Sequence, residues 1–576
     1  MREDGSAPAG RTRLAAVLPA LVFGLLLAVS WNRWAVPFQD TGREVVTAAR
    51  LLDGERLYRD VVWRYGPLSP HVDALALALL GRSLESLLAV RLLVAFLGVE
   101  ALRRLALRLS GDGLLAALST CLAVATCVFL PFGGAWPFPY SAAAVEGMVA
   151  LWWALLAALG AASPLASAGA GLLGGVAAST KIELVLPALL VPAGVVLLRR
   201  GRREAAAALA AAGGLAALAW GAPLAAWGAG TMARRGFLIA FDVPEPWRRA
   251  YLDVFRGGLD LTRPFSAGGL PAFGVSAVVL AVAVLVLLRP PSRPPLRFLA
   301  PLLLFLLGLA GVLVSGNEEL RLFVPLAAAA SLAALWRAWR QRGRPDASLA
   351  AAAVALVLLP ALARQPFGIR PEVPYGAISG PLALVVALSA LARMAGGPLP
   401  AAALAAGLCV AQVADRVRDY RLEPRRTARF ERGTLTLLPA EAALLEELVR
   451  RIRADTPPRS FVAGFPEPGL VLFLSDRRSP FPDDQFHPGA QDEEALDEML
   501  ELLDRRRPAA VFLLNRAHPE FGEGAFGLDY HRRFLAALER RYERAAVIGS
   551  GGAPSPRGLR ASAALYYLPR RDVTSP

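Results

Sequence analysis

Apolar stretches of roughly 15 to 24 residues, joined by short polar or charged segments, recur along most of this chain, and a helix of that length spans about 30 Å of hydrocarbon. No other feature constrains the fold as strongly. With 576 residues and 55% of them hydrophobic, and a mean hydropathy of +0.45, the chain is too apolar for a soluble protein of its size. It reads as a polytopic α-helical membrane protein.

The first apolar block, 14–30, follows Arg11 and Arg13 and is flanked by Trp31 and Trp34 at an interfacial position, with no convincing small-residue cleavage site. It reads as a retained anchor with its N-terminus in the cytosol. The net charge of +15 does not point to nucleic acid: much of the arginine lies in joints between apolar blocks, as the positive-inside rule expects, and no basic stripe with interleaved aromatics is present. Cys121, Cys127 and Cys409 fall inside apolar blocks and read as small core residues, not as disulfides or metal ligands.

Placing the arginine-rich joints (103–108, 199–203, 289–297, 337–344 and 393) in the cytosol gives spans near 14–30, 86–109, 113–130, 141–160, 166–179, 184–198, 205–228, 268–288, 298–315, 320–336, 347–363, 378–393 and 398–415, about thirteen in all. The chemically richer joints then share the opposite side: the loop 31–85, the aromatic stretch 132–140, the turn at Lys181, the loop 231–264, and the segments 315–321 and 365–375. The glycine-rich pair 166–179 and 184–198 fits either close packing or a re-entrant pair. If it is one span, the C-terminus changes sides.

After residue 420 the composition turns charged. Helical periodicity over 440–453, 493–507 and 530–542 alternates with strand-like runs at 460–463, 509–514 and 561–568, predicting a soluble extracytoplasmic α/β domain over 421–576 beside a membrane domain over 1–420.

Lys181 is the single lysine among 62 lysine and arginine residues. It sits between two apolar runs, in Ser179-Thr180-Lys181-Ile182-Glu183, where a charge is costly unless it pairs or lines a polar cavity. Binding the phosphate of a lipid-linked donor is one reading; snorkelling beside Glu183 is the other. Asp40 follows the interfacial Pro37-Phe38-Gln39 and precedes Gly42. It suits a general base held close to the bilayer, or the N-cap of a helix over 43–52. Glu44, four residues on, shares a helical face with Asp40 and is a second candidate.

Arg64 and Tyr65 precede a Gly-Pro turn and offer a guanidinium and a phenol to a phosphate; Tyr65 fits an interfacial anchor equally well. In Gly316-Asn317-Glu318-Glu319-Leu320-Arg321, Glu318 and Arg321 abut the next span and either cap the interface or reach a ligand. The aromatic stretch 132–140 suits sugar stacking or an interfacial belt. His487, His518 and His531 are too scattered to form a metal site, and Asp483-Asp484 has no partners at ligand spacing.

The acidic first loop with Asp40, the Leu-Leu-Asp-Gly-x-x-Leu-Tyr-Arg-Asp and Tyr-Gly-Pro-Leu stretches within 51–68, the Thr-Lys-x-Glu turn at 180–183 and the polar C-terminal region resemble the polyprenyl-phosphate-sugar-dependent membrane glycosyltransferases of GT-C fold. Protein O-mannosyltransferases and the lipid A aminoarabinose transferases belong to that superfamily. The resemblance implies an inverting transfer from a polyprenyl-phosphate-linked sugar donor to a lipid, glycan or protein acceptor at the outer face of the cytoplasmic membrane. It makes Asp40 the base and has Lys181, with Arg64 or Arg321, hold the donor phosphate. It also implies no metal or other cofactor, since no Asp-x-Asp is present. The chain departs from the family's acidic pair, because Thr41 follows Asp40 and leaves Glu44 or another carboxylate to complete the site. A lipid or glycan transporter and a non-catalytic envelope scaffold are the alternatives; a transporter should show internal repeats and mid-membrane polar sites, and neither stands out.

Overall fold

The structure, a computed structural model, describes residues 9–131, 134–241, 243–259, 294–315, 320–340, 346–363, 374–518, 523–549 and 561–570, with isolated positions between 278 and 285. Helices come first: α1 (Ala9–Ser30), α2 (Asp40–Leu52), α3 (Leu68–Leu80), α4 (Leu84–Ser110), α5 (Gly113–Ala123), α6 (Ala142–Gly160), α7 (Pro164–Ala178), α8 (Val185–Arg200), α9 (Arg202–Arg235), α10 (Glu245–Leu259), α11 (Pro294–Ser315), α12 (Leu320–Arg340), α13 (Asp346–Ala363), α14 (Pro374–Met394) and α15 (Pro398–Leu422). Local chemistry sets several starts. The side chains of Ser83, Asp112 and Ser163 each accept a backbone N–H of the first turn of α4, α5 and α7, and Gly111 closes α4 in the left-handed conformation.

Four helices among the described residues are long and apolar enough to cross a membrane: 142–160, 182–200, 202–235 and 398–422. Shorter apolar helices lie at 16–30, 68–80, 113–128, 164–178, 299–310, 349–362 and 378–394. Most of these positions follow the predicted blocks, but the expected spans 86–109 and 320–336, though helical, are not among these apolar helices. The segment 68–80, expected inside an external loop, is an apolar helix; within the expected loop 231–264, α9 runs to Arg235 after a break at Gly228 and α10 covers Glu245–Leu259, while 260–264 lie outside the described residues; and the expected span 268–288 lies outside the described residues apart from isolated positions. The glycine-rich pair forms two helices, α7 and α8, both packed on α9. An added Cβ at Gly171 would stand 2.1 Å from the Ala208 carbonyl, and one at Gly174 would stand 2.5 Å from that of Ala188. Backbone-to-backbone approach of this kind is how helices associate where lipid offers no hydrophobic drive.

Among the described residues, the joints near 108, 200 and 393 lie at one end of the bundle. Arg393, closing α14, donates to Leu109 O at the end of α4 (3.0 Å), and Arg200, closing α8, donates to Ala161 O just past α6 (2.8 Å). The opposite end carries α2, the 53–67 loop, the turn at Lys181 and the chain from Arg426 onward.

That C-terminal α/β unit starts as a hairpin of β1 (Arg426–Phe430) and β2 (Gly433–Leu437). It continues through α16 (Pro439–Asp455), β3 (Val462–Phe465), α17 (Gly469–Ser475), α18 (Glu493–Arg506), β4 (Ala510–Leu514), β5 (Ala517–His518), β6 (Glu523–Ala525), α19 (Arg532–Arg541), β7 (Tyr542–Gly549) and β8 (Ala563–Pro569). The main sheet has the order β3-β4-β8-β7, with only the β3/β4 pair parallel. Each residue of β4 is buried, as a central strand covered on both faces must be. An aromatic core of Phe465, Phe481, Phe486, Phe526 and Phe534 supports it, with Phe465 stacked on Phe526 at 4.3 Å. The expected helix over 530–542 is shorter, because Tyr542 begins β7. The β1–β2 hairpin, β7 and α17 escape the sequence reading. Each is only five to eight residues long, too short for a period to stand out.

The hairpin is bound to the bundle: Leu84 N–H donates to Arg432 O (2.9 Å), Thr434 N–H to Glu85 (2.8 Å) and Thr436 N–H to Asn32 O (3.0 Å). Deeper in, α2 is wedged against α17. A Cβ on Gly42 would meet Leu470 N at 2.3 Å, and one on Gly469 would meet the Gly42 carbonyl at 2.5 Å.

Two outcomes follow. Gly42→Ala should lower stability by about 1–3 kcal/mol despite the better helix propensity of alanine, because the facing atoms are backbone and cannot rotate away. Gly194→Ala, which meets nothing within 4 Å, should be neutral or stabilising; thermal unfolding of the two variants checks this. In the C-terminal unit, burial lowers the pKa of His531 from 6.5 to about 4. Its neutral form is therefore the one the fold holds, so its contribution is complete above about pH 6.5 and is lost as pH falls toward 4. Replacing His531 with Gln should flatten that part of the pH profile of unfolding.

Candidate functional site

The backbone brings two distant motifs together. Gly66 N–H donates to Thr180 O (2.8 Å) and Leu68 N–H to Ser179 O (3.3 Å), so the turn after Tyr65 is stitched to the residues just before Lys181. Only glycine fits at 66, where a Cβ would stand 2.2 Å from Ser179 O. Trp63 Nε1 donates to Gly66 O (3.0 Å) and fixes the other side of the turn.

Lys181 is 2% exposed. Its ammonium pairs with Glu183 (2.8 Å), donates to the Tyr140 hydroxyl (3.2 Å), and lies 4.8 Å from the centre of the Tyr65 ring and 5.6 Å from that of Tyr140. Arg43 reaches the same aromatic pair from α2. Its guanidinium is 5.0 Å from the Tyr65 ring centre and 5.5 Å from that of Trp63, and it donates to Tyr140 O (3.3 Å) and to Gln485 Oε1 (3.0 Å). Two cations thus share one aromatic ring. A ring face stabilises a cation without neutralising it.

From Lys181 a small apolar cleft of about 90 Å³ opens between α6, α8, α13 and α14. Met148, Leu151, Leu184, Pro187, Val357 and Ile378 are among its walls, and Lys181, Glu183 and Ser379 are its polar groups.

Of the other residues singled out in the sequence, Glu44 is buried (1% exposed) and ion-paired. It takes Arg91 Nη2 at 2.9 Å and caps α6 through Ala142 N–H at 2.6 Å. The same Arg91 nitrogen bonds Asp73 Oδ2 at 2.9 Å, and Glu146 of α6 interacts electrostatically with both Asp73 and Arg91. Glu44 therefore joins four helices in the interior and is not presented to the cleft. Arg64 points away from Lys181, pairing with Asp483 (2.8 Å) over the Trp247 ring (5.1 Å). Asp40 opens α2, whose N-cap is Gln39, and Arg321 lies in the first turn of α12; the side chains of both, and all of Glu318, lie outside the described residues.

Sequence reasoning gave no role to Arg43, Arg91 or Asp73. The available signals were an arginine between Asp40 and Glu44, and charges set singly within apolar helices, Arg91 in α4 and Asp73 in α3. Such charges in hydrocarbon are expected to pair.

The C-terminal unit touches the strand of chain before α2. Arg516 donates to Phe38 O (3.3 Å) and pairs with Glu467 (2.5 Å), which also binds His487. Burial pushes the Glu467 carboxyl up, but Arg516 and His487 outweigh it and hold it well below the usual carboxylate range. Among the described residues, no group of three or more His, Cys, Asp or Glu is arranged to hold a metal ion.

No family profile matches the chain, and no curated protein matches it. Among solved structures, ArnT from Cupriavidus metallidurans bound to undecaprenyl phosphate is similar over 99% of this chain and 100% of its own, at 14% identity and a TM-score of 0.44. The apo state of the same protein is similar over 99% and 100%, at 16% identity and a TM-score of 0.41.

The Arg91 group yields a direct test. Arg91→Met removes the guanidinium that bonds both Glu44 and Asp73 and should cost about 3–5 kcal/mol, because it strands buried carboxylates. Thermal unfolding in detergent would show the loss, and the triple change R91M/E44Q/D73N should recover much of it.

Proposed function

We propose that this protein is a membrane glycosyltransferase that takes a sugar from a polyprenyl-phosphate carrier and passes it to a lipid, glycan or protein hydroxyl at the outer face of the cytoplasmic membrane. One observation carries the reading: a buried lysine, ringed by tyrosines and joined by Arg43, stands at the head of an apolar cleft. A ligand suited to such a place has an anionic head and a hydrocarbon tail. The cleft supplies the apolar surface for the isoprenoid and the two cations supply the charge.

In the reaction the acceptor oxygen attacks the anomeric carbon from the face opposite the phosphate, and the carbon–oxygen bond to phosphate breaks. Its electron pair leaves with the polyprenyl phosphate, and the acceptor proton passes to a base, the role that the resemblance gives to Asp40. Configuration inverts. Lys181 and Arg43 stabilise charge that grows on the phosphate as the bond breaks, which favours the transition state over the bound donor. Arg64, committed to Asp483, supports the loop and does not hold phosphate. On this reading the α/β unit beginning near residue 421 is extracytoplasmic, on the same side as the site.

The test combines the purified protein with undecaprenyl-phosphate sugars and measures release of the free carrier phosphate. Lys181→Ala should weaken binding of undecaprenyl phosphate roughly 10- to 100-fold, the worth of a hydrogen bond to a charged group. Asp40→Asn should keep that binding while slowing transfer by about two to four orders of magnitude, the span of a general base. Unchanged carrier affinity in a folded K181A protein would remove the headgroup assignment, and undiminished transfer by D40N would remove Asp40 as the base.

A further inference from the structure

The segment 51–60, one of the stretches that stand out in the sequence, sets two arginines against an aromatic ring that the donor site does not use. The guanidinium carbons of Arg56 and Arg59 lie 5.9 and 5.6 Å from the centre of the Trp227 ring. Both arginines are exposed, while Trp227 is half-buried on the cluster of Leu57, Tyr58, Trp63, Met232 and Phe237.

Charge at this ring is unbalanced. Asp60 stands 3.8 Å from Arg59 and accepts the backbone N–H of Arg56 (2.9 Å). Among the described residues, no carboxylate forms an ion pair with Arg56, and the Trp227 indole N–H has no acceptor. The neighbouring charges are committed elsewhere: Glu55 to Arg50 (2.7 Å) and Arg478 (3.5 Å), Arg234 to Glu494 (3.5 Å), and Arg235 to Glu498. A ring face attracts a guanidinium but leaves its charge intact. Two like charges are therefore held together with one carboxylate to offset them, and an anion that accepted from both would relieve the repulsion.

Depth in the bilayer decides what that anion belongs to. Along α9 the distance from Arg203 to Trp227 is about 36 Å, so a helix with Arg203 at one headgroup layer carries Trp227 across ~30 Å of hydrocarbon to the other. Tryptophan is enriched at that level. The helix breaks at the next residue, Gly228 (φ 76°). Leu218 and Leu224 of the same helix are 66% and 38% exposed, which leaves apolar surface for an acyl chain within three turns of the arginines.

We propose that Arg56, Arg59 and Trp227 form a binding site for the phosphate of an anionic membrane phospholipid, distinct from the donor headgroup site at Lys181. The guanidinium forks pair with phosphate oxygens and the indole N–H supplies a further donor. A lipid bound there holds the 56–62 loop against α9. That loop is tied to α9 by Arg235, which donates to Arg59 O (2.5 Å), and to the donor site by the Tyr58 hydroxyl, which donates to Tyr65 O (2.7 Å). The proposal does not rest on the reading of Lys181.

The experiment titrates the full-length protein in detergent with phosphatidylglycerol, phosphatidylcholine or soluble glycerol phosphate. Native mass spectrometry reads the retained lipid, and thermal unfolding without lipid reads the fold. The parent should bind phosphatidylglycerol about tenfold more tightly than phosphatidylcholine, whose choline cancels the phosphate charge. R56Q/R59Q should erase that preference and W227L should reduce it about threefold, while K181A should leave it unchanged. If R56Q/R59Q does not fold, the single changes R56Q and R59Q on these exposed side chains decide. Equal binding of the two lipids by the parent, or a preference undiminished in folded R56Q/R59Q or W227L, overturns the proposal. So does displacement of phosphatidylglycerol by an equal concentration of glycerol phosphate, which would mark a site for free phosphate, or loss of the preference in K181A, which would place the lipid in the donor site.

Discussion

Arg91 is the charge on which the interior depends. One nitrogen of its guanidinium holds Glu44 from α2 and Asp73 from α3 at 2.9 Å each, and Glu44 in turn caps α6. A carboxylate is stable in such a place only when its charge is met and its lone pairs are filled, so these bonds fix where four helices stand relative to one another. The position of α2 matters most. It is an amphipathic segment between membrane helices, yet Thr41, Gly42 and all of Glu44–Arg50 are buried. The bundle presses on it from one side and the C-terminal unit from the other.

From that fixed helix the site follows by short steps. Arg43 is the residue before Glu44, so anchoring Glu44 in the interior sends Arg43 toward the Tyr65 ring and the Tyr140 backbone. Gly66 locks the Tyr65 turn onto Ser179 and Thr180, and Lys181 is next in the chain. The two cations are thus placed by glycine contacts and backbone hydrogen bonds on their neighbours, more than by their own side chains. Such supports tolerate little displacement, because the facing atoms are main chain.

Part of this was legible along the chain. The apolar blocks located most helices, since a membrane imposes a length and composition that single windows reveal. Lys181 stood out because it is the only lysine, and the Tyr65-Gly66-Pro67 turn because of its residue types; both lie at the cluster. Glu44 was legible by spacing as sharing a helical face with Asp40, and so as a second candidate for the base, but its burial and commitment to Arg91 were not, as Arg91 lies 47 positions away. Arg64 had the same chemistry as Arg43 and the same loop, and only contact with Asp483 separates their roles. The hairpin, α17 and β7 were missed because elements of five to eight residues are too short for a period to stand out until a neighbour covers them.

By itself the sequence determined the class of protein, the approximate position of the helices and the scarcity of lysine that marks residue 181. These are properties of composition and local order, which a chain carries whatever its fold. Which arginine shares the Tyr65 ring with Lys181, which carboxylate is buried as an ion partner, and that residues 482–485 meet the loop around residues 43–64 were decided only in three dimensions. Ion pairs and aromatic contacts act over a few ångströms, and the groups that make them here are separated by tens to hundreds of residues, a distance that no local pattern records.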